Sequence, residues 1–369
     1  MPSVLLAGAF GQHNPGDEAL LDAFVQGLPE WDHVATSSDP AHTRGRGIDA
    51  VPSWSPVKVA AATKRADAVI FAGGTVFKEL DPRVNRPAND LLVKAVMLAA
   101  GSKAQGKPLA MVGLGVGKLP EGSPRVLART LVRFPDLLVL RDEESAEALS
   151  HSGAPQPFRV GADPAWTLLD APPESHENGS DTIVVALSSH CGGYDLADRL
   201  VEALAPLTGY RIKVQPWQVV GPTTDAPLAR EIERRLPGRV EVLPPPRDLA
   251  DARRLFSRAH VVLSLRFHAL VAAASAGVPF VAMAHEAKLA GLARRLHQRA
   301  VGPEEPPAHV TEALVAAGSG PAPRPSAVRA EIARAEESFR LTRLLLNRGR
   351  SPEAAEVSGL PLVPEPGVR

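Results

Sequence analysis

The chain has a single cysteine, Cys191, among 369 residues. That excludes an internal disulfide and a cysteine-built metal cluster, and it fits a reducing compartment with Cys191 in a structural role. Neither sign of charge is in excess, because 41 Lys and Arg stand against 41 Asp and Glu. No global basic field therefore gathers nucleic acid or an anionic membrane surface, and partners must be recognised at a local site. A basic leader is missing too. The opening MPSVLLAGAFG has too short an apolar run for a signal peptide and reads as a first core strand ending in glycine. The most apolar later stretch, residues 269–284, contains Gly277 and Pro279. It falls short of the ~18 uninterrupted apolar residues of a membrane span. The expectation is a cytoplasmic protein with no transmembrane segment and no nucleic-acid partner.

Several chemical signatures are also missing. The first glycine-rich loop is neither the dinucleotide fingerprint G-x-G-x-x-G nor the phosphate loop G-x-x-x-x-G-K-[ST]. No His-x-x-x-His, Cys-x-x-Cys or acidic triplet points to a catalytic metal, so neither a metal nor a bound cofactor is expected. The serines of ALSSHCGG, residues 186–193, lack the G-x-S-x-G elbow of a serine hydrolase.

What is present is an alternation of short apolar runs with amphipathic helical patterns. SVLLAGA precedes DEALLDAFVQGL, and NDLLVKAVMLAAGSK leads into PLAMVGLGVG. Strands without polar alternation, separated by helices, indicate parallel sheets covered on both faces. The segment DAPPESHENGSD concentrates Pro, Ser, Gly, Asn and charge, and marks a linker. Beyond it the alternation restarts with TIVVALSS and runs through VVLSLR and VPFVAM. The expected organisation is α/β, with two doubly wound Rossmann-like domains at 1–170 and 182–325 joined by a linker at 171–181. A C-terminal helix at 326–347 and a loosely ordered tail at 348–369 follow.

In open α/β sheets ligands bind beyond the carboxyl ends of the strands. There the first half offers Gly11, Asn14 and Asp17 in GAFGQHNPGDEA, with Asp17 placed to cap the next helix. It also offers Gly73 and Gly74 after VIFA, Gly115 in GLGVGK, and Arg141 after LLVL. Each glycine also suits an ordinary tight turn, and Arg141 also suits a surface ion pair with Asp142 or Glu143. In the second half Ser188 follows TIVVAL, while Arg266 and His268 interrupt the apolar run LSLRFHALVAAASAG. Two residues apart in extended backbone, they can point to one side, pairing a fixed cation with a group that exchanges protons near neutral pH. Lys288, after VPFVAMAHEA, can add a second positive charge to the same crevice or remain a solvated helix lysine.

Taken in order, these segments resemble the polysaccharide pyruvyl transferase family from about residue 4 to about residue 297. The likeness lies in GAFGQHNPGDEA, in DAVIFAGGT, in GLGVGKLP, in Arg141, Asp142 and Ser145, in Asp163-Pro164, and in Arg266, His268 and Lys288. Ala72 stands where the family commonly has glycine, Phe267 where leucine is usual, and MAHEAK lacks the aromatic that typically precedes the lysine. The resemblance implies a glycosyltransferase B-type fold with an inter-domain cleft. It also implies transfer of a pyruvyl ketal from phosphoenolpyruvate to a nucleotide- or lipid-linked sugar in cell-envelope polysaccharide biosynthesis. Arg266, Lys288 and Arg141 would then hold the donor's carboxylate and phosphate, and His268 would act as general acid or base. The competing readings are a glycosyltransferase with a nucleotide-sugar donor and a non-catalytic sugar-binding protein of envelope assembly.

Overall fold

A computed structural model describes residues 1–80, 86–154, 157–173, 180–189, 195–221 and 224–347. Cys191, most of the expected linker and the expected tail lie outside these residues. In chain order the first half contains β1 (Ser3–Phe10), α1 (Pro15–Gly27), β2 (Asp32–Ser37), α2 (Pro40–Gly45), β3 (Asp49–Pro52), α3 (Pro56–Arg65), β4 (Ala68–Ala72) and β5 (Thr75–Phe77). It continues with α4 (Asp90–Ala104), β6 (Leu109–Val116), α5 (Ser123–Leu131), β7 (Leu137–Leu140), α6 (Glu143–His151) and β8 (Arg159–Val160). The second half contains β9 (Thr182–Ala186), α7 (Asp195–Leu204), β10 (Arg211–Gln215), α8 (Ala226–Arg235), β11 (Val240–Val242), α9 (Leu249–Phe256) and β12 (Val261–Ser264). Then come α10 (Phe267–Ser275), β13 (Phe280–Met283), α11 (Ala287–Arg295), β14 (Arg299–Val301), α12 (Pro307–Gly318) and α13 (Pro325–Leu346).

The fold is α/β with two parallel sheets, as the alternation of apolar runs and helices requires. The first sheet is ordered β3-β2-β1-β4-β6-β7-β8, with β5 paired to β6. The second is ordered β11-β10-β9-β12-β13-β14. In each, the order reverses beside the first strand, between β1 and β4 and between β9 and β12, which is the doubly wound pattern of a Rossmann-like unit. The central strands read TIVVA, VVLS and FVAM and are buried along their whole length. β-branched and apolar side chains on both faces suit strands covered by helices above and below. Register is continuous across the switch, with Val184 beside Lys213 on one side and Val262 on the other.

The chain divides into two compact units that are not contiguous in sequence, unlike the 1–170 and 182–325 blocks expected from composition. One comprises Met1–Gly11, Leu20–Pro164 and Ala333–Arg369, and the other Gln12–Ala19 and Ala165–Ile332. Segment 12–19 joins the second unit because its partners are there: the Gln218 side-chain amide donates to Gln12 O at 2.8 Å, and Gly16 packs on the His268 ring. From Ala333 onward α13 joins the first unit, where Phe339 meets Phe24 edge-on at 5.0 Å between centroids. The Arg343 guanidinium also donates to Gly27 O at 2.8 Å.

Two local expectations are corrected. Helix α1 begins at Pro15, so Asp17 lies inside its first turn and is not its cap; Asn14 Oδ1 accepts from Gly16 N at 3.0 Å instead. After Gly73 and Gly74 the backbone forms the extra short strand β5, so those glycines join two strands rather than ending one. Among the described residues no helix is long and apolar enough to cross a membrane.

Phe339 is 2 % exposed, so Phe339→Ala removes a buried ring that ties α13 to the first unit. The expected loss is about 3–5 kcal/mol in urea denaturation. An unchanged midpoint would mean that α13 contributes no packing there.

Candidate functional site

The second unit gathers Asn14, Asp17, Ser188, Arg266, His268 and Lys288. Gly11, Gly73, Gly74, Gly115 and Arg141 lie in the first.

Arg266 and His268 sit at the junction of β12 and α10, beside the reversal in strand order. Arg266 is the extended N-cap residue of α10, with φ −119° and ψ 128°. The Ser264 hydroxyl fixes this turn, accepting from Arg266 N at 3.0 Å and donating to Arg266 O at 2.9 Å. His268 is not in extended backbone as expected from the spacing. It is the second residue of α10, so helix geometry sets its direction. Its half-buried imidazole lies across Gly16, where a Cβ would collide with Nδ1. The glycine of NPGDEA is thus required by close approach of the ring. The Phe267 ring stands perpendicular to the imidazole at 5.6 Å.

The Arg266 guanidinium is 12 % exposed and is held along one edge. Nε donates to Leu187 O at 2.8 Å, and Nη2 donates to Asp225 Oδ1 at 3.0 Å and Oδ2 at 2.7 Å. Asp225, completely buried, also accepts from Ser189 N at 2.8 Å, Trp217 N at 2.9 Å and Gln218 N at 2.8 Å. Ser188, buried just beyond β9, lies in the same loop as Ser189 and Leu187.

The neighbouring strand β13 ends at Met283; His285 follows in the loop, Glu286 is the N-cap residue of α11, and Lys288 lies in its first turn. Lys288 forms an ion pair with Glu286, which is far more exposed than the Asp225–Arg266 pair. Burial holds the His285 imidazole below the usual histidine range; the Glu286 charge opposes this, while Lys288 and more weakly Arg266 reinforce it. Both cations therefore act on one imidazole at the carboxyl ends of β12 and β13. Among the described residues, no cluster of three or more His, Cys, Asp or Glu side chains is disposed to hold a metal ion.

In the first unit Arg141 is 4 % exposed. Its Nε donates to Asp142 Oδ2 at 2.8 Å, Nη1 lies 4.0 Å from Asp163 Oδ2, and Nη2 fills the space where Gly115 would carry a Cβ, 2.5 Å away. Burial pulls the Asp142 carboxyl upward, but the Arg141 charge and hydrogen bonds from Ser145 and Arg141 outweigh it and hold it below the ordinary range. This arginine is buried beside the ends of β6 and β7, so its pairing with Asp142 is not the surface ion pair that was one reading of the sequence.

Asp225 was not singled out in the sequence. Asp225 stands in TTDAPLAREIE, directly before a helix with proline in its first turn, where an aspartate reads as an ordinary cap. Only the adjacency of β9, β10 and β12 reveals its other partners.

No curated protein matches the sequence significantly. Among solved structures, a putative UDP-N-acetylglucosamine 2-epimerase from Listeria monocytogenes is similar at TM-score 0.62 and 11 % identity, covering 94 % of this chain and 96 % of that one. The UDP-GlcNAc 2-epimerase from Methanocaldococcus jannaschii matches at TM-score 0.62 and 12 % identity, covering 94 % and 99 %. Anabaena HepE in complex with UDP-glucose matches at TM-score 0.59 and 16 % identity, covering 98 % and 100 %. At such identities the likeness establishes the fold alone, two Rossmann-like units of the glycosyltransferase-B class. The family model for polysaccharide pyruvyl transferase matches residues 14–286, from the segment that seats His268 to the carboxylate paired with Lys288. The chain belongs to the polysaccharide pyruvyl transferase family and is a transferase.

Proposed function

We propose that the protein transfers the pyruvyl unit of phosphoenolpyruvate onto two hydroxyls of a nucleotide- or lipid-linked sugar, forming a cyclic ketal in polysaccharide precursor synthesis. The observation that carries this reading is the placement of Arg266, His268 and Lys288 at the carboxyl ends of adjacent strands β12 and β13 in a chain of this family.

The chemistry asks for an acid and for cations. A proton is added to the donor's methylene carbon, making it a methyl group and leaving C2 cationic. A sugar hydroxyl attacks C2 and loses its proton; the C2–O bond to phosphate breaks, and a second hydroxyl closes the ketal. One of the two hydroxyl protons balances the methyl proton, and the other leaves with phosphate. His268 is assigned the acid step, a role that contributes typically ~10²–10⁴-fold. Arg266 binds the donor's carboxylate or phosphate through the edge not used by Asp225 and Leu187, where a planar fork suits an oxyanion. Lys288 reaches the donor by exchanging Glu286 for phosphate. A partly exposed pair of this kind is worth little and is readily traded. The donor and the linked-sugar acceptor are proposals, supported by family membership and by this residue set.

Incubation with phosphoenolpyruvate and a panel of nucleotide- and lipid-linked sugars, followed by phosphate release and product mass, tests the reading. The expected result is a mass gain of one pyruvyl ketal, abolished in Arg266→Ala and reduced ~10²–10⁴-fold in kcat in His268→Ala. Transfer undiminished by both changes would remove the assigned roles. Transfer from a nucleotide-sugar donor instead would favour a glycosyltransferase.

Gly16→Ala displaces the imidazole by the width of a methyl group. A fall in kcat of up to ~10²-fold is expected, with the circular-dichroism spectrum retained. Unchanged turnover would show that the His268 position is immaterial. Glu286→Gln releases Lys288 from its partner and should lower KM for phosphoenolpyruvate by about two- to five-fold at low salt. A raised KM would assign the carboxylate itself to the donor.

A further inference from the structure

We infer that Asp225 is a positioning residue for the transfer reaction, aiming the Arg266 guanidinium at the donor's oxyanion; this rests on the donor-binding reading above and extends it to a residue outside the strand-end motif. Asp225 occupies the N-cap position of α8 yet makes no side-chain bond to that helix. Asp39, Asp142 and Asp248, at the same position of α2, α6 and α9, each accept from their own first turn. The Asp225 carboxylate turns back toward the sheet instead. It gathers N–H groups from the loops after β9 (Ser189) and β10 (Trp217 and Gln218), and the guanidinium from the loop after β12. Those three strands are neighbours, with the reversal of strand order between β9 and β12. A single carboxylate therefore joins the loops after β9, β10 and β12.

The geometry on the arginine is directional. Nε and Nη2 lie on one edge of the guanidinium, and that edge is committed to Leu187 O and Asp225. With two of its three nitrogens fixed, the plane cannot rotate, so Nη1 has one heading. Among the described residues no hydrogen bond engages Nη1. A bidentate carboxylate or phosphate would meet it together with the second hydrogen of Nη2. The same knot reaches the acid: Gln218, whose N–H is held by Asp225, donates from its side chain to Gln12 O, four residues before the glycine that seats His268.

A carboxylate that merely stapled loops would affect stability and leave turnover per folded molecule unchanged. Two measurements on the full chain separate the roles. The first is the ¹⁵N–¹H signal of Arg266 Nε, identified by its disappearance in Arg266→Lys. It should be rigid and slow to exchange in the wild type, and mobile and fast to exchange in Asp225→Asn, which keeps the side-chain shape and removes the charge. The second is phosphoenolpyruvate-dependent transfer. Asp225→Asn should lower kcat/KM by ~10²-fold, the scale of a small misplacement, and combining it with Arg266→Lys should cost little more than either alone. If Asp225→Asn does not fold, Asp225→Glu, which keeps the charge but displaces it, takes its place in both measurements with the same expected direction. An Arg266 Nε signal as rigid in the variant as in the wild type would overturn the proposal, as would strictly additive kinetic effects. If the wild type makes no pyruvylated product, the donor reading falls, and the Nε measurement alone then decides whether Asp225 orients Arg266.

Discussion

The Asp225 carboxylate is wholly buried and, among the described residues, accepts from three backbone N–H groups and one guanidinium. A buried ion pair is poor evidence of stability, because desolvating both charges offsets most of their attraction. Removing one partner is another matter, since it strands the other charge and costs about 3–5 kcal/mol. The pair therefore acts as a constraint: wherever the second sheet folds, the loops after β9, β10 and β12 must meet at this point, and Arg266 must lie across it. Next to it the Ser264 hydroxyl holds the turn at Arg266, and α10 sets the direction of His268.

The two units place an arginine at a strand end in contrasting ways. Arg141 is held by the next residue in the chain and by Asp163, and its third nitrogen packs against Gly115. Its Nε is committed to Asp142, and the side chain is buried beside the ends of β6 and β7. Arg266 is held from one side by a carboxylate 41 residues away in sequence. Among the described residues no hydrogen bond engages Nη1, on the opposite edge. Residue type at a strand end thus does not show how deeply the fold buries a guanidinium or which of its nitrogens it commits.

Much of the architecture was legible because buried parallel strands leave continuous apolar runs, and because a doubly wound sheet fixes where its loops converge. TIVVA, VVLS and FVAM became β9, β12 and β13, and RFH fell on the junction after β12. The discontinuous units were not legible. Segment 12–19 belongs with the second unit through contacts to residues some 200 and 250 positions away, Gln218 and His268. Periodicity sees no further than one element. Asp225 was hidden for a related reason, since an aspartate before Ala-Pro at a helix start has a sufficient local explanation. His268 was placed correctly at the strand-to-helix junction but given the wrong backbone, because the helix begins at Phe267, directly after the extended Arg266.

The central chemical claim is that the donor is attacked at carbon, with the bond between C2 and the bridging oxygen broken. Phosphoenolpyruvate labelled with ¹⁸O at that bridging oxygen tests it most directly. Mass spectrometry of the products should find the label in the released phosphate and an unlabelled pyruvyl ketal on the sugar. Label retained on the three-carbon unit would mean cleavage at phosphorus, and would contradict the account.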